Sequence, residues 1–251
     1  MRLLVLSDIH ANLEALEACL DAAPEYDQVY NLGDIVGYGA NPNEVTARSR
    51  ELGSIFVRGN HDKACSGVSS LDDFNPIAAL AALWTQQQLT PEHLEFLRDL
   101  PEGPVAPMES VQLVHGSPRD EDEYILMASD AYSILAQARV PLIFFGHTHV
   151  QRCFVLESDT GTGKSLVPVP RAAKGKQVVK IDLKPGTKYM VNPGSVGQPR
   201  DNDPRAAFML YNSEENSISL YRVPYDIQRA QQKIMAAGLP ERLALRLAEG
   251  R

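Results

Sequence analysis

Short apolar runs and amphipathic stretches alternate through the first sixty residues, and this alternation limits the fold more than any other feature of the chain. Residues 2–7 (RLLVLS) read as a strand, and 11–23 (ANLEALEACLDAA) as a helix with apolar positions at 13, 16 and 20. Residues 27–33 (DQVYNLG) give the next strand pattern. Residues 41–53 (NPNEVTARSRELG) carry helix punctuation, with Asn41 as cap, Pro42 at the first position and Gly53 at the close. Residues 54–60 (SIFVRGN) return to strand. A β-α-β-α-β order implies parallel strands joined by helical crossovers, with functional loops at the carboxyl ends of the strands.

The pattern is helical over 71–100, where Trp84 sits on an apolar face as a core residue, and this segment is the candidate for a local cap. Strand patterns then recur at SVQLVHG, VPLIFFGHTH, QVVKIDL, KYMVNPG, AAFMLYN and SISLYRV, with a hairpin expected near 150–170. The tail, 225–251, reads as two helices broken at Gly238-Leu239-Pro240. These helices are expected to pack on the domain, with a contact between copies of the chain as the alternative. No repeat and no Pro-, Gly- or Ser-rich linker divides the sequence, so residues 1–251 are expected to form one α/β domain. The GKS of SDTGTGKSL lacks the earlier glycine of a phosphate-binding P-loop, since Ser158 stands in its place, and it reads as a hairpin tip.

A net charge of −8 argues against stable nucleic-acid binding, because phosphates are repelled unless a local cation intervenes. The first residues are too short and too soon polar for a secretory leader, and no stretch is long enough to span a membrane. Cys19, Cys65 and Cys153 are odd in number and widely spaced, which implies no disulfide framework and makes the cytoplasm the expected compartment.

The predicted strand ends carry matching chemistry. The first is followed by Asp8 and His10, the second by Asp34, and the third by Asn60, His61 and Asp62. Later ones are followed by His115, and by His147 and His149, so five of the six histidines fall at such ends; only His93 does not. If extended backbone persists past Gly146, His147 and His149 point to one face. Two Asp, one Asn and four His offer oxygen and nitrogen without thiolate, which suits Mn²⁺, Fe, Zn²⁺ or Ni²⁺. Seven donors exceed what one tetrahedral ion needs and fit two ions sharing a carboxylate; such pairs clamp the attacking and leaving oxygens of a phosphoryl displacement.

Asp8-x-His10, Gly33-Asp34, Gly59-Asn60-His61-Asp62, His115-Gly116 and Gly146-His147-x-His149 resemble, in order, the signature blocks of the calcineurin-like metallophosphoesterases. NPGSVGQPR at 192–200 is similar to a segment of the small bacterial branch of that family. The resemblance implies a four-layer α/β/β/α sandwich, two mixed sheets face to face with helices outside. It implies two divalent ions, Mn²⁺ foremost. Asp8, His10 and His149 would hold the first, Asn60, His115 and His147 the second, and Asp34 would bridge them. His61 matches the group that protonates the leaving oxygen, with Asp62 its orienting partner.

Two cations lower the pKa of water from 15.7 toward about 7 and offset phosphoryl charge, and a general acid adds roughly 10²–10⁴-fold. The expected substrate is a small phosphate ester, as diester or monoester. Arg119, Arg200 and Tyr38 are the candidate substrate-binding residues, each with surface pairing or packing as the alternative. The protein serine/threonine phosphatase branch carries GDxVDRG and GNHE, whereas this chain has GDIVGYG and GNHD, so a phosphoprotein substrate is the weaker reading. A non-catalytic scaffold on the same fold is the alternative of a different class, and every filled donor position argues against it.

Overall fold

The computed structural model describes residues 1–157, 163–166 and 175–251. The opening alternation folds as expected: β1 (Arg2–Leu6), α1 (Leu13–Ala22), β2 (Gln28–Asn31), α2 (Pro42–Glu51) and β3 (Ile55–Phe56), with the three strands parallel. Strand β3 is shorter than its pattern, because the chain leaves the sheet at Gly59 and begins α3 (Asn60–Cys65). Then come α4 (Pro76–Gln88), α5 (Pro91–Arg98), β4 (Val105–Met108), β5 (Val111–Leu113), α6 (Ala128–Gln137) and β6 (Leu142–Phe144). The rest is β7 (Arg152–Glu157), β8 (Gly163–Leu166), β9 (Gln177–Asp182), β10 (Thr187–Asn192), β11 (Ala206–Asn212), β12 (Ser217–Val223), α7 (Ile227–Ala236) and α8 (Glu241–Glu249). Strands β7 and β8 pair antiparallel, as a hairpin requires; its expected tip lies outside the described residues.

Two six-stranded sheets result, in the orders β3-β2-β1-β11-β12-β9 and β4-β5-β6-β10-β7-β8, and each mixes parallel with antiparallel pairs. The period-2 rule decides what each face covers. In β1, Leu3 and Val5 point between the sheets, where they meet Leu113, Leu142, Phe144 and Val191 of the second sheet. Leu4 and Leu6 point outward to α1 and its neighbours, through Ala15, Leu16 and Cys19. On the far side, Ile143, Phe145 and Met190 pack on Ala131, Ile134 and Leu135 of α6. This is the four-layer sandwich, with strands apolar on both faces because both are buried.

The tail helices α7 and α8 pack on the domain around Tyr38, Ala78 and Ala81. Among the described residues no helix is long and apolar enough to cross a membrane. The three cysteines are separate, reduced and buried.

Candidate metal centre

The donors gather where the parallel strands of both sheets end. Between one and three residues separate the last residue of β1, β2, β3, β5 and β6 from Asp8, Asp34, Asn60, His115 and His147. Each loop must turn at once, and the backbone records it: Asp8, His10, Ala11, Asp34, Tyr38, His147 and His149 all have positive φ, between 49° and 64°. Non-glycine residues avoid that region, so seven together mark a site whose surroundings impose the conformation. The imposing contacts are backbone bonds between loops, Asp8 N–H to Gly33 O (3.0 Å), His10 N–H to Asp34 O (3.0 Å) and Gly197 N–H to Asp8 O (3.0 Å). Gly59 is required by proximity, since a Cβ there would lie 2.0 Å from Asp34 Oδ1.

His147 and His149 do not share a face. The strand stops at Phe144, both residues are left-handed, and their imidazoles join different groups. In the first group, donor atoms of Asp8, His10, Asp34 and His149 all lie within 4.8 Å of one another. His10 donates from Nδ1 to Val36 O (3.1 Å) and His149 from Nδ1 to Gln198 O (2.6 Å). Those bonds fix both tautomers and leave the Nε2 lone pairs facing each other at 3.0 Å. Two lone pairs held so close need a cation or proton between them.

Asp34, His115 and His147 form the second group. His115 donates from Nδ1 to Leu32 O (2.7 Å), and its Nε2 lies 3.3 Å from Asn60 Oδ1, which adds Asn60 to the set. His147 is held by its Nε2 on the Asp122 carbonyl (3.1 Å), so Nδ1 is the nitrogen able to coordinate. Asp34 belongs to both groups. Its Oδ1 accepts from His61 N–H (2.8 Å), while its Oδ2 is buried without any hydrogen-bond partner, 3.5 Å from both His10 Nε2 and His115 Nε2. A buried, partnerless carboxylate oxygen is costly alone and well suited to lie between two cations. Oxygen and imidazole donors in two groups with one shared carboxylate fit a pair of divalent ions.

Electrostatics agree. Burial opposes the Asp34 charge, but the imidazoles of His115, His61 and His10 hold its carboxyl well below the usual range. Burial works against a proton on His115 too, yet the Asp34 and Asp8 carboxylates raise it to about 10. In the metal-free chain a proton on His115 thus balances Asp34. Burial pushes His61 down to about 4 and His147 to about 3, and takes His10 and His149 well below the ordinary value.

His61 stands beside both groups. Its ring is 4.9 Å from that of His10 and 4.3 Å from that of Tyr38, and Nδ1 is buried without a partner. Asp62 does not face it. One Asp62 oxygen accepts from Asp34 N–H (2.8 Å) and Gly59 N–H (3.0 Å), the other from Ile35 N–H (2.8 Å) and Val36 N–H (3.2 Å). Asp62 thus shapes the Asp34 loop instead of orienting the imidazole, because α3 turns its side chain under that loop.

Tyr38 packs on His10 and His61, and Arg200 stacks over Tyr38 at 5.7 Å. Arg119 is not brought here: Glu123, four residues on, captures it at 2.7 Å, and it lines a separate cavity with Gln137 and Arg139. A cleft of about 390 Å³ opens onto the site between His61, His147, Lys63, Asp122, Tyr124 and the 69–78 stretch, so the 71–100 segment supplies one wall through Phe74, Asn75 and Ala78. Three of these neighbours had no distinguishing signal in the sequence: Tyr124, whose ring lies 3.8 Å from that of His147; Phe74, edge-on to His61; and Lys63, paired with Glu121 and Asp122. The 192–200 segment braces the site, with Ser195 Oγ on Asp8 O (2.7 Å) and Asn192 Nδ2 on Gly146 O (2.7 Å).

Comparison with known proteins agrees with this geometry. The calcineurin-like phosphoesterase superfamily domain matches residues 1–216. The chain belongs to that superfamily. The crystal structure of a metallophosphoesterase from Sphaerobacter thermophilus is similar over 100% of this chain and 99% of that one, at 42% identity and a TM-score of 0.86. An uncharacterized protein of Methanocaldococcus jannaschii, MJ0912, is 37% identical over 98% of this phosphoesterase-family chain and 97% of its own length. The hypothetical protein PH1004 from Pyrococcus horikoshii shares the fold at 22% identity and a TM-score of 0.79, covering 100% of this chain and 98% of its own.

Proposed function

We propose that this chain hydrolyses phosphate esters of small organic molecules or nucleotides, as diesters or monoesters, at a centre of two divalent ions, with Mn²⁺ the first candidate and Fe, Zn²⁺ and Ni²⁺ the others. The observation that carries the reading is Asp34 Oδ2, buried 3.5 Å from an imidazole nitrogen of each histidine group. Asp8, His10 and His149 would hold one ion, Asn60, His115 and His147 the other, and Asp34 both. When bound, the ions supply Lewis acidity, lowering the pKa of water and offsetting charge on the phosphoryl oxygens.

The chain's own groups do the rest. The backbone carbonyls of Val36, Gln198 and Leu32 keep three donor imidazoles in the tautomer that leaves Nε2 free. Asp62 and the loop bonds hold the donors in place before any ligand arrives. His61 is kept neutral by burial and takes up a proton once an anionic ester lies against it, since a nearby negative charge favours the imidazolium. It then delivers that proton to the departing oxygen. Arg200, above Tyr38, is placed to contact the phosphoryl group.

Hydrolysis of bis(p-nitrophenyl) phosphate and p-nitrophenyl phosphate, with Mn²⁺ and with chelator, tests the reading. Metal-dependent release of p-nitrophenol supports it, and the faster substrate separates diester from monoester preference. No turnover with any of the four metals removes it.

A further inference from the structure

The tail of the chain brings a second charged feature to the rim of the centre. Helix α8 carries Arg242 and Arg246 four residues apart, so they share one face. Together with Tyr38, Asn75, Ile77, Glu249 and Arg251 they line a groove of about 890 Å³. Tyr38 and Asn75 also line the cleft over His61, so the groove and the cleft share a wall. The Arg246 guanidinium lies 6.0 Å from that ring and the Arg200 guanidinium 5.7 Å, while His10 and His61 pack on it at 4.7 and 4.3 Å. Tyr38 thus meets both guanidiniums on the one hand and His10 and His61 on the other.

These cations are short of counter-charge. Arg205, Arg222 and Arg229 are paired with Asp203, Asp201 and Glu14. Among the described residues, Arg200, Arg242 and Arg246 stand in no ion pair. Arg200 Nη2 reaches Gln198 Oε1 (3.0 Å) and Tyr38 OH (3.4 Å), its charge favours the Asp8 carboxylate of the centre, and its Nε is buried without an acceptor. Arg246 Nε donates to the backbone oxygen of Arg251. Burial, with Arg200 and Arg242 nearby, lowers Arg246 to about 10. Three guanidiniums in the lining of the groove, of Arg242, Arg246 and Arg251, face one carboxylate, Glu249, an excess of positive charge in a protein of net charge −8 that suits an anionic ligand.

We propose that Arg242 and Arg246 form an anion subsite that holds a second phosphate of the substrate, remote from the one that Arg200 would contact. The preferred substrates are then organic esters carrying two phosphate groups, and the second is recognised by guanidinium forks. This rests on the phosphoesterase reading for the scissile phosphate. It also gives the tail a role, since Arg242 and Arg246 lie beyond the residues 1–216 that match the family domain.

The test measures equilibrium binding of adenosine 3′,5′-bisphosphate and of adenosine 5′-monophosphate to the Mn²⁺-loaded full chain, beside bis(p-nitrophenyl) phosphate hydrolysis. The parent should prefer the bisphosphate by at least about tenfold, and Arg242→Gln with Arg246→Gln should remove most of that preference. Arg242 is exposed, so Arg242→Gln alone keeps the test open if the double variant does not fold. The corresponding lysine variants should retain part of the preference, because charge survives without the fork. Hydrolysis with no bisphosphate preference, or a preference untouched by the variants, overturns the subsite and leaves the phosphoesterase reading standing. A preference lost in the variants, with no ester hydrolysed, keeps the subsite and removes the catalytic reading.

Discussion

Replacing Asp62 by Asn separates two roles for this residue, since the amide keeps the shape of the carboxylate. The Asp62 oxygens take four backbone N–H groups, two each, at 2.8 to 3.2 Å, from Asp34, Ile35, Val36 and Gly59. An Asn must turn its NH₂ toward one pair, so two buried donors lose their acceptor and face a third donor. A hydrogen bond to a charged group is worth about 1.5–3 kcal/mol, which sets the gross loss near 3–6 kcal/mol. Burying a carboxylate charge is itself costly, and relief of that cost reduces the net to about 2–4 kcal/mol. For a chain of this length each kcal/mol moves the thermal midpoint by roughly 2–4 °C, so Asp62→Asn should melt about 5–15 °C below the parent. It should also take up less of both metals, because the Asp34 loop loses its anchor. Urea unfolding followed by circular dichroism, with elemental analysis of the same samples, reads both effects. Stability within about 0.5 kcal/mol of the parent, with only the pH profile of hydrolysis displaced, would refute the reasoning and return Asp62 to the side of His61.

Three further outcomes follow from the site. His61→Ala should keep both metals yet lose about 10²–10⁴-fold of turnover on alkyl esters, and far less on p-nitrophenyl esters, whose leaving group needs little protonation; loss of metal from this variant would make His61 a ligand. Asp34→Ala should lower the occupancy of both ions by elemental analysis, and full retention of either would end its bridging role. His115, raised to about 10, is protonated at neutral pH and must lose that proton to coordinate. Mn²⁺ loading should therefore release at least about one proton per chain, and affinity should rise with pH between about 6.5 and 8.5; a flat affinity with no proton release would contradict this.

The gathering of these side chains is legible in the sequence because strand alternation places loops at one end of a parallel sheet, and loops of that kind carry the chemistry. Their division into two groups was not legible from spacing. His147 and His149 look like a same-face pair only while the backbone stays extended, and contacts from distant segments twist both into the left-handed region. For Arg119 the sequence leaves substrate contact and pairing with the local acids open, and closure of the 117–123 turn gives the pairing, with Glu123. The resemblance pairs Asp62 with the neighbouring histidine, whereas its carboxylate is turned the other way by a helix begun at Asn60 that the strand pattern does not foretell. Helix α6 could have been read from Ala131, Ile134, Leu135 and Ala138, which recur at helical spacing. Tyr124 and Arg246 had no such signal, since only tertiary packing brings residues so far apart to the same rim.

The placement of the donors across the two sheets has a mechanical consequence. Asp8, Asp34 and Asn60 leave one sheet while His115, His147 and His149 leave the other, so a loaded centre would rivet the two layers together at that end of the sandwich. Sliding one layer over the other by a fraction of an ångström would pull the donors out of register long before either sheet came apart. Heating should therefore silence the centre first and melt the protein second, with the dense apolar seam between the layers setting the gap between the two temperatures.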